Sequence, residues 1–125
     1  MSFSGLKTAV INLVHNAEQK GEEIDRASLA ASFTKAVSDS LVPRTVSAAK
    51  ELGYDKVVVA GGVAANSRIR ADFQKAAEKE GFRLFIPPLK LCGDNGAMIG
   101  AQGYYEYLAG VRAGSELNAY ATMDL

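Results

Sequence analysis

The chain has 125 residues, which is enough for one domain or part of one. Fourteen basic and fourteen acidic residues cancel, and a formal net charge of zero argues against a protein that holds nucleic acid by electrostatic attraction alone. The single cysteine excludes an internal disulfide, and no Cys/His pattern typical of a zinc site is present. Without a signal-peptide pattern or a membrane-spanning segment, we expect a cytoplasmic protein with no membrane partner.

The first part of the chain, residues 1–53, is predicted to be helical. Ser4 is predicted to cap a first helix and Asp25 a second, because both residue types are good N-caps. Pro43 interrupts the apolar pattern of the second helix, which predicts a kink or a new helix start near Val42.

Residues 54–114 predict a βαβα region that is followed by a loosely attached tail, residues 115–125. A strand over residues 56–60 has no polar alternation, which is typical of a strand covered on both faces of a parallel sheet. The next helix is predicted to bury Ile69, Phe73, Ala76 and Ala77, with Arg68 and Asp72 as a pair on its outer face. This helix and a second strand over residues 83–86 complete a parallel βαβ unit, and a last helix begins near Asn95. Two strands make a poor independent sheet, so either they pair with strands outside this chain or the sheet is a minor component.

A glycine-rich turn follows the first strand. Gly61 and Gly62 precede Asn66, which lies near the start of the next helix. Such a turn can bring free N–H groups and a helix N-terminus against an anionic or nucleotide ligand. The alternative is a tight strand-to-helix turn in which Asn66 is an ordinary N-cap. The turn is neither a P-loop nor a dinucleotide-binding fingerprint.

A second polar turn, which contains Asp94, follows the second strand. Because the carboxyl ends of parallel strands lie at one edge of a sheet, Asn66 and Asp94 are expected near one crevice. The alternative is that Asp94 caps the last helix. One carboxylate cannot hold a catalytic metal without ligands from elsewhere. Cys92 has no basic residue near it and His15 lies far off in the first helix, which argues against a Cys–His nucleophile.

Three segments resemble the signature segments of the tRNA threonylcarbamoyladenosine transferase family, formerly called glycoprotease or O-sialoglycoprotein endopeptidase. They are residues 2–8 (SFSGLKT), residues 60–66 (AGGVAAN), with Arg68 and Arg70 following, and residues 92–99 (CGDNGAMI). The resemblance covers nearly the whole chain and keeps the order of the segments. It implies an α/β fold that is part of an actin-like ATPase fold of the sugar kinase and Hsp70 type.

The resemblance also implies an activity. The family transfers a threonylcarbamoyl group from threonylcarbamoyl-AMP to N6 of adenosine 37 in tRNAs that read codons beginning with A. The implied partners are tRNA and companion threonylcarbamoylation proteins, and the implied ligands are a nucleotide of this type and one metal ion, iron or zinc.

Four residues fall on family positions. Gly61 and Gly62 fall on the nucleotide-facing turn, and Asn66 falls on a contact to the substrate adenylate. Asp94 falls on the one metal ligand of this half, and two histidine ligands belong to a region outside this chain. No catalytic residue is assigned.

The chain departs from the family in two respects. Gly93 stands where the family usually has threonine, and the long upstream region of the family is not present in the sequence. We therefore expect a C-terminal fragment that is inactive by itself and binds neither metal nor nucleotide. We also expect it to self-associate through an exposed strand edge.

Two other classes of function stay open at this point. One is a non-enzymatic actin-like module that binds a nucleotide or a protein partner. The other is a metalloendopeptidase, as the older family name suggests, but the sequence contains no zinc-protease motif.

Overall fold

The computed structural model describes residues 2–119 of the chain. These residues form four helices and two short strands. In chain order they are α1 (Ser4–Lys20), α2 (Arg26–Glu51), β1 (Lys56–Val58), α3 (Ser67–Glu80), β2 (Arg83–Phe85) and α4 (Gly96–Leu108), with 3₁₀ turns at Gly62–Ala65 and Leu89–Leu91. No helix among them combines the length and the apolar character needed to cross a bilayer.

The two strands form a parallel pair in which Lys56 lies opposite Arg83 and Val58 opposite Phe85. This confirms the predicted βαβ unit, with α3 as the connection. Within residues 2–119 the sheet contains only these two strands. Because the strands are parallel, the loops that follow Val58 and Phe85 leave the sheet at the same edge.

Strand β1 differs from its prediction in length and burial. It ends at Val58 rather than at residue 60. Val57 is buried, but 71% of the surface of Val58 is exposed, so the expectation that both faces are covered was wrong. An unbroken run of β-branched residues does not show whether the described chain contains a layer for each face.

The core lies between α2 and α3. Val37 and Val42 from α2 form a buried cluster with Ile69 and Phe73 from α3. The predicted apolar face of α3 is thereby confirmed. Half-buried side chains near the two strands pack against the same cluster: Val59, Leu84 and Ile86.

Helix α2 runs through Pro43 without interruption, so the predicted new helix start is wrong. Val37 and Val42 are buried before the proline and Ala49 is buried after it. Packing on both sides therefore outweighs the loss of one backbone hydrogen bond. The prediction for Asp25 is confirmed, because its side chain accepts hydrogen bonds from the first turn of α2.

Helix α1 begins one residue earlier than its predicted cap requires. Ser4 is already helical, and Phe3 occupies the N-cap position without a side-chain hydrogen bond. The Oγ of Ser2 instead accepts a hydrogen bond of 3.3 Å from the Ser4 N–H. The prediction that Ser4 caps α1 is therefore wrong by one residue.

Helix α4 contributes no buried residue. It begins after Asn95, as predicted, and the Asn95 Oδ1 accepts a hydrogen bond of 3.0 Å from the Met98 N–H. Residues 115–119 form no helix or strand, and residues 120–125 of the predicted tail lie outside the described part. Large apolar side chains of α4 are exposed: Met98, Ile99, Tyr104, Tyr105, Tyr107 and Leu108.

Candidate functional site

The glycine turn after β1 has a backbone that only glycine adopts readily. Gly61 has φ 90° and ψ 170°, a region in which a Cβ is strained. In the described part of the chain, the N–H groups of Gly61 and Gly62 donate no hydrogen bond. No atom lies within 4 Å of the place where a Cβ would stand on either glycine. The turn therefore offers two free donors beside open space, which suits an anionic group.

Asn66 caps helix α3. Its Oδ1 accepts hydrogen bonds from the N–H groups of Arg68, at 3.0 Å, and Ile69, at 3.2 Å. The capping alternative from the sequence is therefore confirmed. The amide Nδ2 of Asn66 donates no hydrogen bond to any residue of the described range 2–119, so it is available to a ligand.

Asp94 is an exposed carboxylate without a partner among residues 2–119. Asn95 caps α4 in its place, so the alternative that Asp94 is the N-cap is wrong. Gly93 leaves open space beside it, with no atom within 4 Å of a Cβ at that position. A threonine side chain would therefore meet no clash there, and the glycine gives this loop backbone more freedom.

The two polar turns line one open cleft of about 810 Å³ at the carboxyl edge of the sheet. Gly61 and Gly62 lie on one side, and Asp94 lies on the loop from β2. The size is within the usual range of small-molecule sites. Asn66 does not line this cleft, so the structure brings only three of the four predicted site residues together. The remaining lining is largely apolar: Val58, Leu84, Ile86, Leu91 and Met98 among others.

Arg70 lies beside this cleft, and no role was assigned to it from the sequence. Its Nη1 donates to the carbonyl oxygen of Ala64, at 2.9 Å, and to that of Pro87, at 3.1 Å. It also lies 3.7 Å from the Cys92 Sγ, so the expectation that Cys92 has no basic neighbour was wrong. Side chains on a helix point towards its N-terminus, so a long side chain one turn after Asn66 was positioned to reach the preceding loop.

Arg68 points to a different part of the molecule. Its Nε donates to the Asp72 Oδ2, at 2.6 Å, and the buried Ser38 Oγ donates to the same oxygen, at 2.7 Å. The hydrogen bond from Arg68 and that from Ser38 hold the pKa of Asp72 below its usual range. The predicted surface pair of Arg68 and Asp72 is therefore part of the contact between α3 and α2.

The described residues do not complete a metal site. Within residues 2–119, no group of three His, Cys, Asp or Glu side chains is close enough to hold a metal ion. Asp94 offers one oxygen donor of the type that metals use, and His15 is exposed on α1. Among the described residues that line the cleft, Asp94 is the one carboxylate.

The chain is similar to known tRNA-modifying enzymes. It is 51% identical over 124 residues to the tRNA N6-adenosine threonylcarbamoyltransferase of Staphylococcus saprophyticus and 48% identical over 124 residues to the protein of the same name from Clostridium botulinum. It is 50% identical over 125 residues to that of Bacillus subtilis. Each alignment covers 99% of this chain but only 36% of the relative, so the chain spans about a third of their length.

The sequence model of one family also matches most of the chain. Its description is tRNA N6-adenosine threonylcarbamoyltransferase, and it matches residues 1–101, a range that includes the glycine turn, Asn66 and Asp94. This match and the three relatives confirm the resemblance noted from the sequence. The chain belongs to the tRNA N6-adenosine threonylcarbamoyltransferase family.

Proposed function

We propose that this chain forms one wall of the substrate cleft of a tRNA N6-adenosine threonylcarbamoyltransferase. The observation that carries the proposal is that free glycine N–H groups and an unpaired carboxylate line one cleft. The substrates are threonylcarbamoyl-AMP and the N6 amino group of adenosine 37 in tRNA. The reaction joins that nitrogen to the carbamoyl carbon and releases AMP.

The cleft chemistry suits the adenylate. The N–H groups of Gly61 and Gly62 can donate to the phosphate oxygens, as free backbone donors do in other phosphate sites. The apolar lining gives the base a surface from which water is excluded. Asn66, whose Nδ2 is free, reaches the ligand from beside the cleft rather than from its lining.

Asp94 is proposed as one ligand of the family's metal ion, iron or zinc. The other ligands are proposed to lie outside this chain, as the family resemblance implies, and residues 2–119 contain no complete metal site. When bound, such an ion supplies positive charge that orients or polarises a carbonyl group. The part that Asp94 plays is to hold one negative oxygen at the cleft, close to the glycine donors.

The helix-rich chain with its parallel pair is proposed as one unit within an actin-like ATPase fold, since the buried cluster joins α2 to α3. The whole enzyme is proposed to act on tRNA in the cytoplasm with companion threonylcarbamoylation proteins. The isolated chain is proposed to be inactive and to self-associate.

The test is the substitution Asp94→Asn in a protein of the relatives' full length that contains this segment. We expect loss of bound metal, measured by mass spectrometry of the elements, and a fall in modified adenosine formed in tRNA. Asp39→Asn is the control, because Asp39 is an exposed carboxylate on α2 that pairs with Lys35. Unchanged metal content together with undiminished transfer in Asp94→Asn would overturn the metal role.

A binding module without enzymatic activity is the second candidate. The apolar side chains exposed along α4 favour it, because they offer a surface to a protein partner. The same experiment separates the two candidates. If the unsubstituted full-length protein forms no modified adenosine, the module is favoured over the transferase.

A further inference from the structure

We propose that Arg70 is a positioning residue that holds the two loops of the candidate site in a fixed relation. The first loop, residues 61–66, carries the glycine donors, and the second, residues 87–95, carries Asp94. The inference rests on the proposed function, since that function needs both loops at one cleft. Arg70 itself does not line the cleft.

A single nitrogen atom of Arg70 hydrogen-bonds both loops. The Nη1 of Arg70 has two hydrogens, and its oxygen partners lie on different loops: the carbonyl of Ala64, at 2.9 Å, and that of Pro87, at 3.1 Å. Among residues 2–119, no other side chain hydrogen-bonds both loops. Removal of the guanidinium would therefore remove the side-chain hydrogen bonds that join the two loops within the described range.

The surroundings of the connection support a positioning role. Arg70 is half-buried, and Cys92, which lies 3.7 Å from its Nη1, is only 4% exposed. The Cys92 thiol lies near the carbonyl oxygens of Pro87 and Pro88, at 3.7 and 3.6 Å. The guanidinium therefore contacts the second loop at its start, Pro87, and again at Cys92, which is two residues before Asp94.

An arginine suits this position better than a lysine. Its planar group presents several fixed donors, whereas an ammonium group is a flexible point charge. Hydrogen bonds from charged donors are also stronger than neutral ones. A lysine at this position should restore part of the connection, because it can reach one carbonyl oxygen at a time.

The experiment compares Arg70→Gln, Arg70→Lys and Arg68→Gln in the full chain. Cys92 is its only cysteine, so the rate of reaction with a disulfide thiol reagent reports the second loop alone. We expect Arg70→Gln to react about tenfold faster, the size of effect that loss of a charged hydrogen bond gives. Arg70→Lys should be intermediate, and Arg68→Gln, whose partner is Asp72, should stay within about twofold.

NMR spectra of the backbone amides report on both loops in one measurement. We expect the signals of Gly61, Gly62 and Gly93 to move together in Arg70→Gln, with Arg70→Lys at intermediate positions on the same lines, as a two-state shift requires. A general loss of stability would not produce that pattern. If Arg70→Gln fails to fold, the lysine variant carries the test, with the same loops expected to move.

Two results would overturn the inference. One is an equal response in Arg70→Gln and Arg68→Gln, and the other is a response in one loop without the other. Because these measurements read loop geometry and not transfer, they stand even if the full-length protein proves inactive. Conversely, an active transferase with uncoupled loops would leave the proposed function intact and remove the role of Arg70.

Discussion

The side chain of Asn66 has two separate functional groups, so two different substitutions are needed to test them. Its oxygen caps α3, and its amide nitrogen is free for a ligand. The cap was predictable, because asparagine before a helix commonly accepts from the first turn. The free nitrogen became visible only once the partners of the oxygen were known.

We expect Asn66→Ala to lower the free energy of unfolding by about 1 kcal/mol, the usual cost of a lost N-cap. Asn66→Asp should retain most of that stability, because aspartate is an equally good cap but lacks the amide donor. Urea unfolding followed by circular dichroism measures both. In the full-length protein, a loss of adenylate binding in Asn66→Asp would then report the loss of the amide donor together with repulsion between the new carboxylate and the phosphate. Equal stability of the alanine variant and the unsubstituted chain would contradict the capping role.

Arg70 marks the limit of residue-level prediction from this sequence. The direction of its side chain followed from helix geometry, but its two acceptors lie on loops that are separated in the chain. Which carbonyl oxygens converge depends on the parallel pairing of two three-residue strands. No local pattern encodes that distance.

At the scale of elements, the contact between α2 and α3 should make the fold sensitive to acid. The pKa of Asp72 is lowered by its hydrogen bonds from Arg68 and Ser38. A lowered folded-state pKa contributes stability above the unfolded value, about 3.9, and that stability is lost as the pH falls through the folded value. We therefore expect the free energy of unfolding to fall below about pH 4, and to fall less in Asp72→Asn.

The measurement is urea unfolding at a series of pH values for both proteins. Other carboxylates also have lowered pKa values, among them Asp25 and Glu80, so the unsubstituted chain alone does not isolate Asp72. The difference between the pH curves of the two proteins isolates the contribution of Asp72. Parallel curves over the whole acid range would show that Asp72 makes no such contribution.

The elements themselves were predictable where a strong local signal agreed with packing. The apolar face of α3, the cap at Asp25 and the start of α4 after Asn95 are examples, and each is found. The prediction failed where packing opposed the local signal. Pro43 favours a break in isolation, yet residues buried on both sides of it keep α2 continuous.

At the scale of the whole molecule, uncovered apolar surface leads us to expect self-association. Val58 is 71% exposed, and both β1 and β2 have one unpaired edge within residues 2–119. Unpaired edges with apolar side chains favour pairing with another chain. We expect light scattering to give a mass of at least two chains at high concentration.

Val58→Lys should shift this equilibrium towards the monomer, because a charged residue on an edge strand opposes pairing. Leu117→Lys is the control, since Leu117 is similarly exposed but lies outside the sheet. If the unsubstituted chain is a monomer at every concentration tested, the expectation is wrong. If both variants dissociate equally, the sheet edge is not the contact.

The sequence indicated that two strands were too few for an independent sheet, and residues 2–119 contain two. It did not reveal which surfaces would be uncovered. Burial depends on every element that packs nearby, and the relatives are nearly three times as long as this chain. The exposure of Val58 and of α4 is a property of the described chain that no segment of it encodes.

The exposure of α4 also sets a limit on folding cooperativity. Isolated helices of about this length are marginal in water, and each of its glycines costs roughly 1 kcal/mol relative to alanine. Helix α4 contains no buried residue and contributes none to the buried cluster, so its fraying does not require the core between α2 and α3 to open. We expect the amide hydrogens of α4 to exchange with solvent through local opening. Those of α3 should exchange only through global unfolding. Asp94 lies between the part of the chain that opens locally, α4, and the part that opens only on global unfolding, α3. Its loop is connected to α3 by the hydrogen bond from Arg70 to the Pro87 carbonyl.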